Sequence, residues 1–409
     1  MTDMNDLPYF TEEHHQVREL VRDFAEAEIR PVAGELDREH KFHWDNVKKM
    51  GELGFLGIPW DPELGGTGMD DISYMITVEE LARVDASHSI TCSAHITLGT
   101  SPIVMYGTEE QKKKYVPLLA SGKVLGGLGI TEPSAGSDVV GLQTYAEDKG
   151  DHYLVNGTKN FITNGGVGEV MVVTARTDKN PEKRSDGITA FIATKDTTDM
   201  QIAEDLGVGH APDLEKIPGF RSGKEESKMG WRSSNTTELI FEDAVVPKEN
   251  VLGELGEGVT VAFKTLDAGR IGVGALALGL AQGAYEEAAK YTLERKQFGK
   301  PISAFQATQF ALADMATEIQ AARHLVYHSA WLKQNGKDYA VFSAMAKLYA
   351  SEVCMRVTTK AVQLHGGYGY TTDYPVERMM RDAKINEIGE GTSEIQRLVI
   401  GRDVLSRFA

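Results

Sequence analysis

Cysteine is scarce in this sequence, which contains only Cys92 and Cys354 among its 409 residues. Two cysteines cannot form the disulfide framework of a small secreted domain, so the composition favours a reducing compartment. Apolar runs of about 20 residues, the length that crosses a bilayer as a helix, are also missing. We therefore expect no membrane insertion.

Positive charge is in short supply as well. The sequence contains 43 basic and 60 acidic residues, which gives a net charge of −17. Nucleic acids and anionic membranes bind proteins mainly through cationic contacts, so neither is an expected partner. The opening MTDMNDLPYF lacks the basic and apolar segments of a signal peptide. We expect a cytoplasmic protein, or a mitochondrial-matrix protein if a transit segment has been removed.

The order of local patterns along the chain predicts three blocks. Thr11-Glu12-Glu13 is typical of a helix start, and apolar residues then recur at helical spacing. β-branched and aromatic runs such as VMVVTART follow from about residue 123, and the helical period returns at about residue 258. We therefore predict an α+β multidomain protein with an N-terminal helical domain (1–124), a middle β-domain (125–245) and a C-terminal helical bundle (246–409).

Two features of the middle block lead to more specific predictions. Asn156-Gly157 suits the positive φ angles of a two-residue turn between strand-like residues, so a β-hairpin is predicted there. The polar stretch 197–217 is too long for an ordinary turn. We interpret this excursion as decoration or an assembly contact, with a lid as the alternative.

Glycine clusters raise the alternative of a dinucleotide-binding fold. GGVGEV (165–170) and GRIGVGALALG (269–279) contain fragments of the G-x-G-x-x-G pattern. Neither follows a strand, opens a helix and precedes an acidic residue about 20 positions on, as that fingerprint requires. Close helix packing is the preferred role of the glycines in 269–279.

Three further stretches are compatible with either a structural role or a ligand. The loop LGITEPSAGSDV (128–139) offers hydroxyls and backbone N–H groups to a phosphate or a ring carbonyl, but it equally fits a well-capped turn. Arg295 fits a helix C-terminus or a phosphate-binding fork. QLHGGYGY (363–370) fits a helix C-cap or a close backbone approach to a flat ligand.

In this order, the stretches resemble the acyl-CoA dehydrogenase family, most of all its short-chain, butyryl-type branch. The resemblance covers nearly the whole chain and is carried by TEPSAGSD, NGTKNFITNG, KMGWRSSNTTELIFEDAVVP, LDAGRIGVGALALGLAQGAYEEAAKY, ERKQFGKPIS, QLHGGYGY and RDAKINEIGEGTSEIQRL. It implies an N-terminal helical domain, a middle β-domain and a C-terminal four-helix bundle. It also implies a homotetramer that binds FAD.

The resemblance implies a reaction and a base. The α-proton of an acyl-CoA thioester is removed and a β-hydride passes to FAD, which gives a 2,3-enoyl-CoA and delivers electrons to electron-transfer flavoprotein. Glu390 in the segment EIGEGTSEIQ occupies the position of the family's base. Some relatives place that glutamate where this chain has Gly269, so the alternative base is missing. Gly389 stands where tyrosine is common, which predicts space for a branched, cyclic or aromatic acyl group.

Motif matching implies the remaining site residues. In the β-domain, FAD contacts are expected from Leu128, Ile130, Thr131, Ser137, Phe161, Ile162 and Thr163. Contacts to the FAD of a neighbouring subunit are expected from Arg295, Gln297, Phe298, Gln306, Gln363, Gly366 and Gly367. Contacts to the same cofactor are also expected from Thr392 and Glu394. Substrate contacts are expected from Ser137, Asp267, Arg270 and Gly391. No metal site is expected.

Several other activities stay open at this point. On the same fold they are an acyl-CoA oxidase, an enoyl-CoA reductase and a dehydrogenase of cyclic or aryl-substituted acyl-CoA. A catalytically silent assembly protein is the rival from another class, but Glu390 and the flavin motifs speak against it. Ser89 stands near the position where glutaryl-CoA dehydrogenases carry an arginine, so a dicarboxylic substrate is less expected.

Overall fold

The first block of the molecule is helical. The computed structural model describes residues 6–180, 182 and 184–409. The helices of this block are α1 (Glu12–Phe24), α2 (Arg30–Glu39), α3 (Trp44–Glu52), α4 (Asp71–Val84), α5 (Ala86–Ala94), α6 (Ser101–Tyr106) and α7 (Glu109–Ala120). π-helical turns at Ala25–Ile29 and His95–Thr100 join α1 to α2 and α5 to α6. The predicted helix start is confirmed, because the Thr11 side chain accepts a hydrogen bond from the His14 backbone N–H and caps α1.

The second block is a mixed β-sheet with one inserted helix, α8 (Met200–Leu206). Its strands are β1 (Gly126–Gly129), β2 (Tyr145–Asp148), β3 (His152–Thr163), β4 (Val170–Arg176), β5 (Ile188–Thr194), β6 (Phe220–Glu225), β7 (Thr236–Pro247) and β8 (Val251–Leu252). The strand order is β6-β7-β3-β2-β4-β5-β8, and β1 pairs in parallel with β4. β5 is buried along its whole length, so other elements cover both faces of the sheet there.

The predicted hairpin at Asn156-Gly157 is wrong. Both residues lie inside the continuous strand β3, where the pairing with β7 shifts register between Val155 and Gly157. Gly157 has a φ of 148°, and the Asn156 side chain donates to Asp243 Oδ1 at 2.9 Å. The Asn-Gly pair therefore forms a β-bulge, in which only Gly157 has a positive φ.

The third block is the C-terminal bundle. It contains α9 (Gly258–Glu294), the short strands β9 (Lys296–Gln297) and β10 (Lys300–Pro301), α10 (Gln306–Gln334), α11 (Ala340–His365), α12 (Val376–Ala383) and α13 (Ser393–Ser406). α9 packs against α4, α10 and α11. A Cβ at Gly279 would lie 2.1 Å from the carbonyl oxygen of Glu79 on α4, and one at Gly274 would lie 3.2 Å from Val326 Cγ2 on α10, which confirms close helix packing for these two glycines. In the described part of the chain, no helix has the length and apolarity to span a membrane.

A buried ionic network fixes α4 against the bundle. The Glu79 carboxylate accepts hydrogen bonds from Arg323 and Tyr327 of α10. The Arg323 guanidinium also donates to Gln282 Oε1 of α9 at 3.1 Å. The Glu79 carboxylate and the Arg323 guanidinium are thus paired and hydrogen-bonded, which offsets the cost of burying the two charges.

The excursion 197–217 connects the sheet to the first helical block. Glu169, at the start of β4, is fully buried and accepts from the His210 ring, from the Ala211 backbone N–H at 3.0 Å and from Lys216 Nζ at 2.7 Å. Gly209 packs closely against the Trp44 indole, since a Cβ at Gly209 would be 2.1 Å from Trp44 Cζ3. The excursion is therefore an ordered strap between the first two blocks.

Candidate active site

The site centres on a break in the helical pattern near the C-terminus. α12 ends at Ala383, and α13 begins at Ser393 with Thr392 as its N-cap. Between them, Glu390 has a φ of 53° and Gly391 a φ of 93°. Glycine adopts such angles readily, whereas a glutamate there costs about 1–3 kcal/mol and is typical of functional sites. The break thus contains one glutamate whose backbone is strained, Glu390.

The Glu390 carboxylate rests against bare backbone. A Cβ at Gly269 of α9 would lie 2.1 Å from Glu390 Oε2, so only glycine leaves room for the carboxylate in this position. Oε2 is buried and has no hydrogen-bond partner among the described residues. A buried carboxylate oxygen without a partner is costly, and its usual explanation is a ligand or a reacting group.

The surroundings of Glu390 tune its acidity. Burial raises the pKa of Glu390 to about 7, while the nearby cations Lys347 and Arg270 lower it. The ideal pKa of a general base lies near the working pH, where the carboxylate is ionised and still basic. The environment therefore suits Glu390 to accept a proton near neutral pH.

Asp267 and Arg270 form an ion pair on α9. Arg270 donates to Asp267 Oδ1 at 2.7 Å, and the guanidinium is almost wholly buried. Its Nε has no hydrogen-bond partner among the described residues. The Arg270 guanidinium is thus buried, and it is close enough to Glu390 to lower the pKa of that carboxyl.

Two segments of the β-domain adjoin one another in a second part of the site. Leu128 lies in β1, and Ile130 and Thr131 follow it directly. The Thr131 carbonyl accepts from the Asn160 backbone N–H at 2.8 Å, which joins this segment to the end of β3. Ser137 lies on the exposed loop that follows.

The end of β3 presents an unusual aromatic surface. Phe161 has a φ of 60°, and its pairing with β7 is interrupted between Lys159 and Ile162. Its side chain is 63% exposed, while Ile162 is buried. A strained, exposed aromatic next to the turn at Thr131 provides an apolar wall with adjacent polar groups. That combination fits a flat ring system with hydrogen-bonding edges, such as the flavin of FAD.

A third set of predicted residues lies at the ends of the long bundle helices. Arg295 ends α9, Gln297 and Phe298 lie in the small hairpin, and Gln306 begins α10. Gln363 lies near the end of α11, and Gly366 and Gly367 follow it. The Arg295 guanidinium lies 5.6 Å from the centroid of the Tyr368 ring, which brings the two chain segments together. Phe298 is 92% exposed, so this set faces outward.

Sequence reasoning missed the buried lysines around the site. Lys159 Nζ donates to Glu132 Oε1 at 2.7 Å, and Glu132 also accepts from the Thr144 backbone N–H at 3.0 Å, which fixes the loop after β1. Lys347 of α11 donates to the Gly391 carbonyl at 2.7 Å. The only sequence signal for Lys347 was its place among small residues on a buried helix face, in AMAKLYAS.

A separate surface cleft of about 590 Å³ lies between the strap and the first helical block. Its lining is aromatic and acidic and includes Trp44, Asp199 and Glu225. None of the predicted site residues lines it. The residues described around Glu390 thus lie outside this cleft.

Comparison with known families identifies the chain. Family models match residues 11–123 as acyl-CoA dehydrogenase, N-terminal domain, residues 127–244 as its middle domain, and residues 256–405 as its C-terminal domain. The chain therefore belongs to the acyl-CoA dehydrogenase family. As such it is an FAD-dependent oxidoreductase that acts on acyl-CoA.

Individual relatives are similar over nearly their full lengths. The short-chain specific acyl-CoA dehydrogenase of Clostridium acetobutylicum is 52% identical over 390 residues, which are 95% of this chain and 97% of that protein. The Caffeyl-CoA reductase-Etf complex subunit CarC of Acetobacterium woodii is 44% identical over 98% of this chain and 100% of that protein. The solved butyryl-CoA dehydrogenase of Megasphaera elsdenii superposes with a TM-score of 0.91 at 45% identity, covering 98% and 100% of the two chains.

Proposed function

We propose that this chain dehydrogenates an acyl-CoA thioester to the 2,3-enoyl-CoA, with Glu390 as the base that removes the α-proton. The observation that carries the proposal is the buried, unpartnered Oε2 of Glu390, held on a strained backbone against Gly269. A thioester α-proton is weakly acidic, so its removal needs a positioned base in a site without competing water. A partnerless carboxylate oxygen in such a place meets that need.

The β-domain and bundle residues hold the cofactor in this proposal. Leu128 to Thr131 and Phe161 to Thr163 would contact the flavin ring, with Ser137, Thr392 and Glu394 nearby. Bound FAD supplies the acceptor for the hydride of the substrate β-carbon. Asp267, Arg270, Ser137 and Gly391 would contact the thioester ligand.

A second copy of the chain completes the cofactor site in this proposal. Arg295, Phe298 and the Gly366-Gly367 turn face outward, and Phe298 exposes an aromatic ring almost fully to solvent. Tyr368 and Tyr370 are also exposed, and Arg295 lies against the Tyr368 ring, so several exposed rings accompany this set of residues. A group of exposed apolar side chains is typical of a protein contact surface. A homotetramer with FAD between subunits is the assembly we infer.

Electron-transfer flavoprotein is the proposed electron acceptor. The support is the Acetobacterium woodii relative, whose name places it in a complex with Etf. A cytoplasmic or matrix location would give the chain access to such a partner. Because that relative is named a reductase, the reverse direction, reduction of an enoyl-CoA, is a second candidate.

Gly389 gives a reason to test substrates larger than butyryl-CoA. A Cβ at this position would lie no closer than 3.5 Å to any neighbour, and that neighbour is the Ile385 carbonyl oxygen. A side chain at position 389 therefore has room at its Cβ. We propose that this space accommodates a branched, cyclic or aryl-substituted acyl group.

The proposed function is tested by anaerobic bleaching of the purified flavoprotein with a panel of acyl-CoA thioesters from butyryl to cyclohexanoyl and aryl-substituted acyl-CoA. At least one saturated thioester should bleach the flavin. Gly389→Tyr should lose bleaching by bulky thioesters while it retains bleaching by butyryl-CoA. Failure of every thioester, together with reoxidation of the reduced flavin by enoyl-CoA, would support the reductase instead. Peroxide formation under air with rapid turnover would support an oxidase.

Arg295→Ala should lower FAD retention and the proportion of tetramer together, because the guanidinium would bind the cofactor across the subunit boundary. The measurements are flavin content per chain and native mass. Arg221→Ala is the matched control, since that exposed arginine pairs with Glu242 at 3.0 Å on the β-sheet. Unchanged flavin content and unchanged mass in Arg295→Ala would contradict the intersubunit site.

A further inference from the structure

The carbonyl of Gly391, directly after the proposed base, is held by two side chains. Lys347 Nζ of α11 donates to it at 2.7 Å, and Gln396 Nε2 of α13 donates to it at 2.9 Å. Lys347 is fully buried. A fully buried ammonium is rare and is normally paired with an opposite charge.

The charge that Lys347 faces is mainly that of Glu390. Burial lowers the pKa of Lys347 to about 8, and Glu390 is the largest influence that raises it again. Arg270 of α9 opposes that gain by repulsion, while Glu387 and Glu394 add weaker attraction. On the α4 side, the Tyr74 hydroxyl faces the same carboxylate and bonds Ser93 Oγ at 3.0 Å.

Lys347 does not use its hydrogen bond on the carboxylate itself. Its bond goes to the Gly391 backbone, and Glu390 Oε2 has no partner among the described residues. The ammonium thus acts in two ways, and neither occupies Glu390 Oε2. It anchors the left-handed turn, and it places a positive charge beside the carboxylate while leaving an oxygen free for a proton.

We propose that Lys347 is a positioning residue for the base, which fixes the Glu390–Gly391 turn through the Gly391 carbonyl and keeps the Glu390 carboxylate ionised through its charge. This inference rests on the proposed role of Glu390. A neutral side chain at position 347 would no longer favour the ionised Glu390 carboxylate. A neutral side chain without an N–H donor would also lose the hydrogen bond to the Gly391 carbonyl.

Three substitutions separate these effects. Lys347→Gln keeps an N–H donor and loses the charge, Lys347→Met loses both, and Lys347→Arg keeps both in a different shape. Removing a nearby cation disfavours the carboxylate, so a smaller fraction of Glu390 is ionised at any given pH. The pH midpoint of flavin bleaching should therefore rise by about one unit in the Gln and Met variants.

The rates should separate the variants further. At a pH well above the midpoint, Lys347→Gln should recover most of the wild-type bleaching rate. Lys347→Met should stay about tenfold or more below it, because its turn is no longer anchored. Lys347→Arg should keep the wild-type midpoint.

Lys195→Met is the matched control. Lys195 is likewise buried and donates to a glycine carbonyl, that of Gly168, at 2.8 Å, but it lies in the β-domain beside Glu169. This substitution should lower thermal stability and leave the pH midpoint of bleaching unchanged.

The experiment is anaerobic single-turnover bleaching by butyryl-CoA between pH 6 and 9, with flavin content and thermal unfolding measured on each variant. Wild-type midpoints in both Lys347→Gln and Lys347→Met would overturn the proposal, even if both variants were less stable. If Lys347→Met does not fold, the Gln and Arg variants still decide the question. If the wild type itself is not bleached by any thioester, the proposed function fails and the role of Lys347 fails with it, whereas a bleached wild type with unmoved variant midpoints overturns the role of Lys347 alone.

Discussion

Glu390→Gln is expected to purify with FAD bound and to lose bleaching by acyl-CoA by a factor of about 10² to 10⁴. Glutamine has the shape of glutamate, so the strained turn and the contact with Gly269 are kept. Its neutral amide cannot accept the α-proton. The measurement is the rate of flavin bleaching after anaerobic mixing with the thioester, normalised to bound flavin.

Glu387→Gln is the control for this substitution. Glu387 lies three residues earlier and pairs with Lys384 at 2.6 Å near the surface, so its loss should leave the bleaching rate within about twofold of wild type. Bleaching by Glu390→Gln at the rate of Glu387→Gln would contradict the assignment of the base.

The same base gives the wild-type reaction a definite pH dependence. Burial raises the pKa of Glu390 to about 7, and only the ionised carboxylate accepts a proton. The bleaching rate should therefore be low below that pH, rise through about pH 7 and level off above it.

Gly269→Ala is the substitution with the second-largest expected effect. The new Cβ would lie 2.1 Å from Glu390 Oε2, so the end of the glutamate side chain must move. A flexible side-chain end moves at little cost to the fold, but a displacement of about 1 Å at a reacting group costs about 10²-fold in rate. We expect a folded, FAD-containing protein whose bleaching rate falls by about that factor.

Gly274→Ala controls for the general effect of a methyl group on α9. Its Cβ would lie 3.2 Å from Val326 Cγ2 and 3.5 Å from the Ala346 carbonyl carbon, Glu390 is not among its nearest neighbours, and alanine favours the helix. Its bleaching rate should stay near that of wild type. Equal rates in Gly269→Ala and wild type would mean that the carboxylate does not react from the position described here.

The large features of the fold were predictable from the sequence because each follows from a local pattern. Apolar residues at helical spacing predicted the first and third blocks, and β-branched runs predicted the sheet between them. Asn156-Gly157 was misassigned because a glycine with a positive φ occurs both in tight turns and in β-bulges. Only the partner strand β7, nearly 90 residues away in the chain, distinguishes them.

The candidate site was predictable where its residues stand in a motif. Glu390 was singled out with the glycines around it, and Gly269 was recognised as the position of a missing alternative base. The close contact between these two residues joins α9 to the chain break 121 residues later, which sequence spacing does not reveal. Lys347 was missed for the same reason, since its partner is a backbone carbonyl on another segment.

Exchange of the substrate α-hydrogens most directly tests whether Glu390 removes the α-proton, because it measures proton transfer and not reduction of the flavin. The protein is incubated anaerobically with butyryl-CoA in D₂O, and deuterium at C2 of the thioester is measured by mass spectrometry or NMR. Wild type is expected to introduce deuterium at C2, and Glu390→Gln, at equal flavin content, is expected not to do so above the enzyme-free background. Deuterium uptake by Glu390→Gln at the wild-type rate would contradict the role of Glu390 as the base.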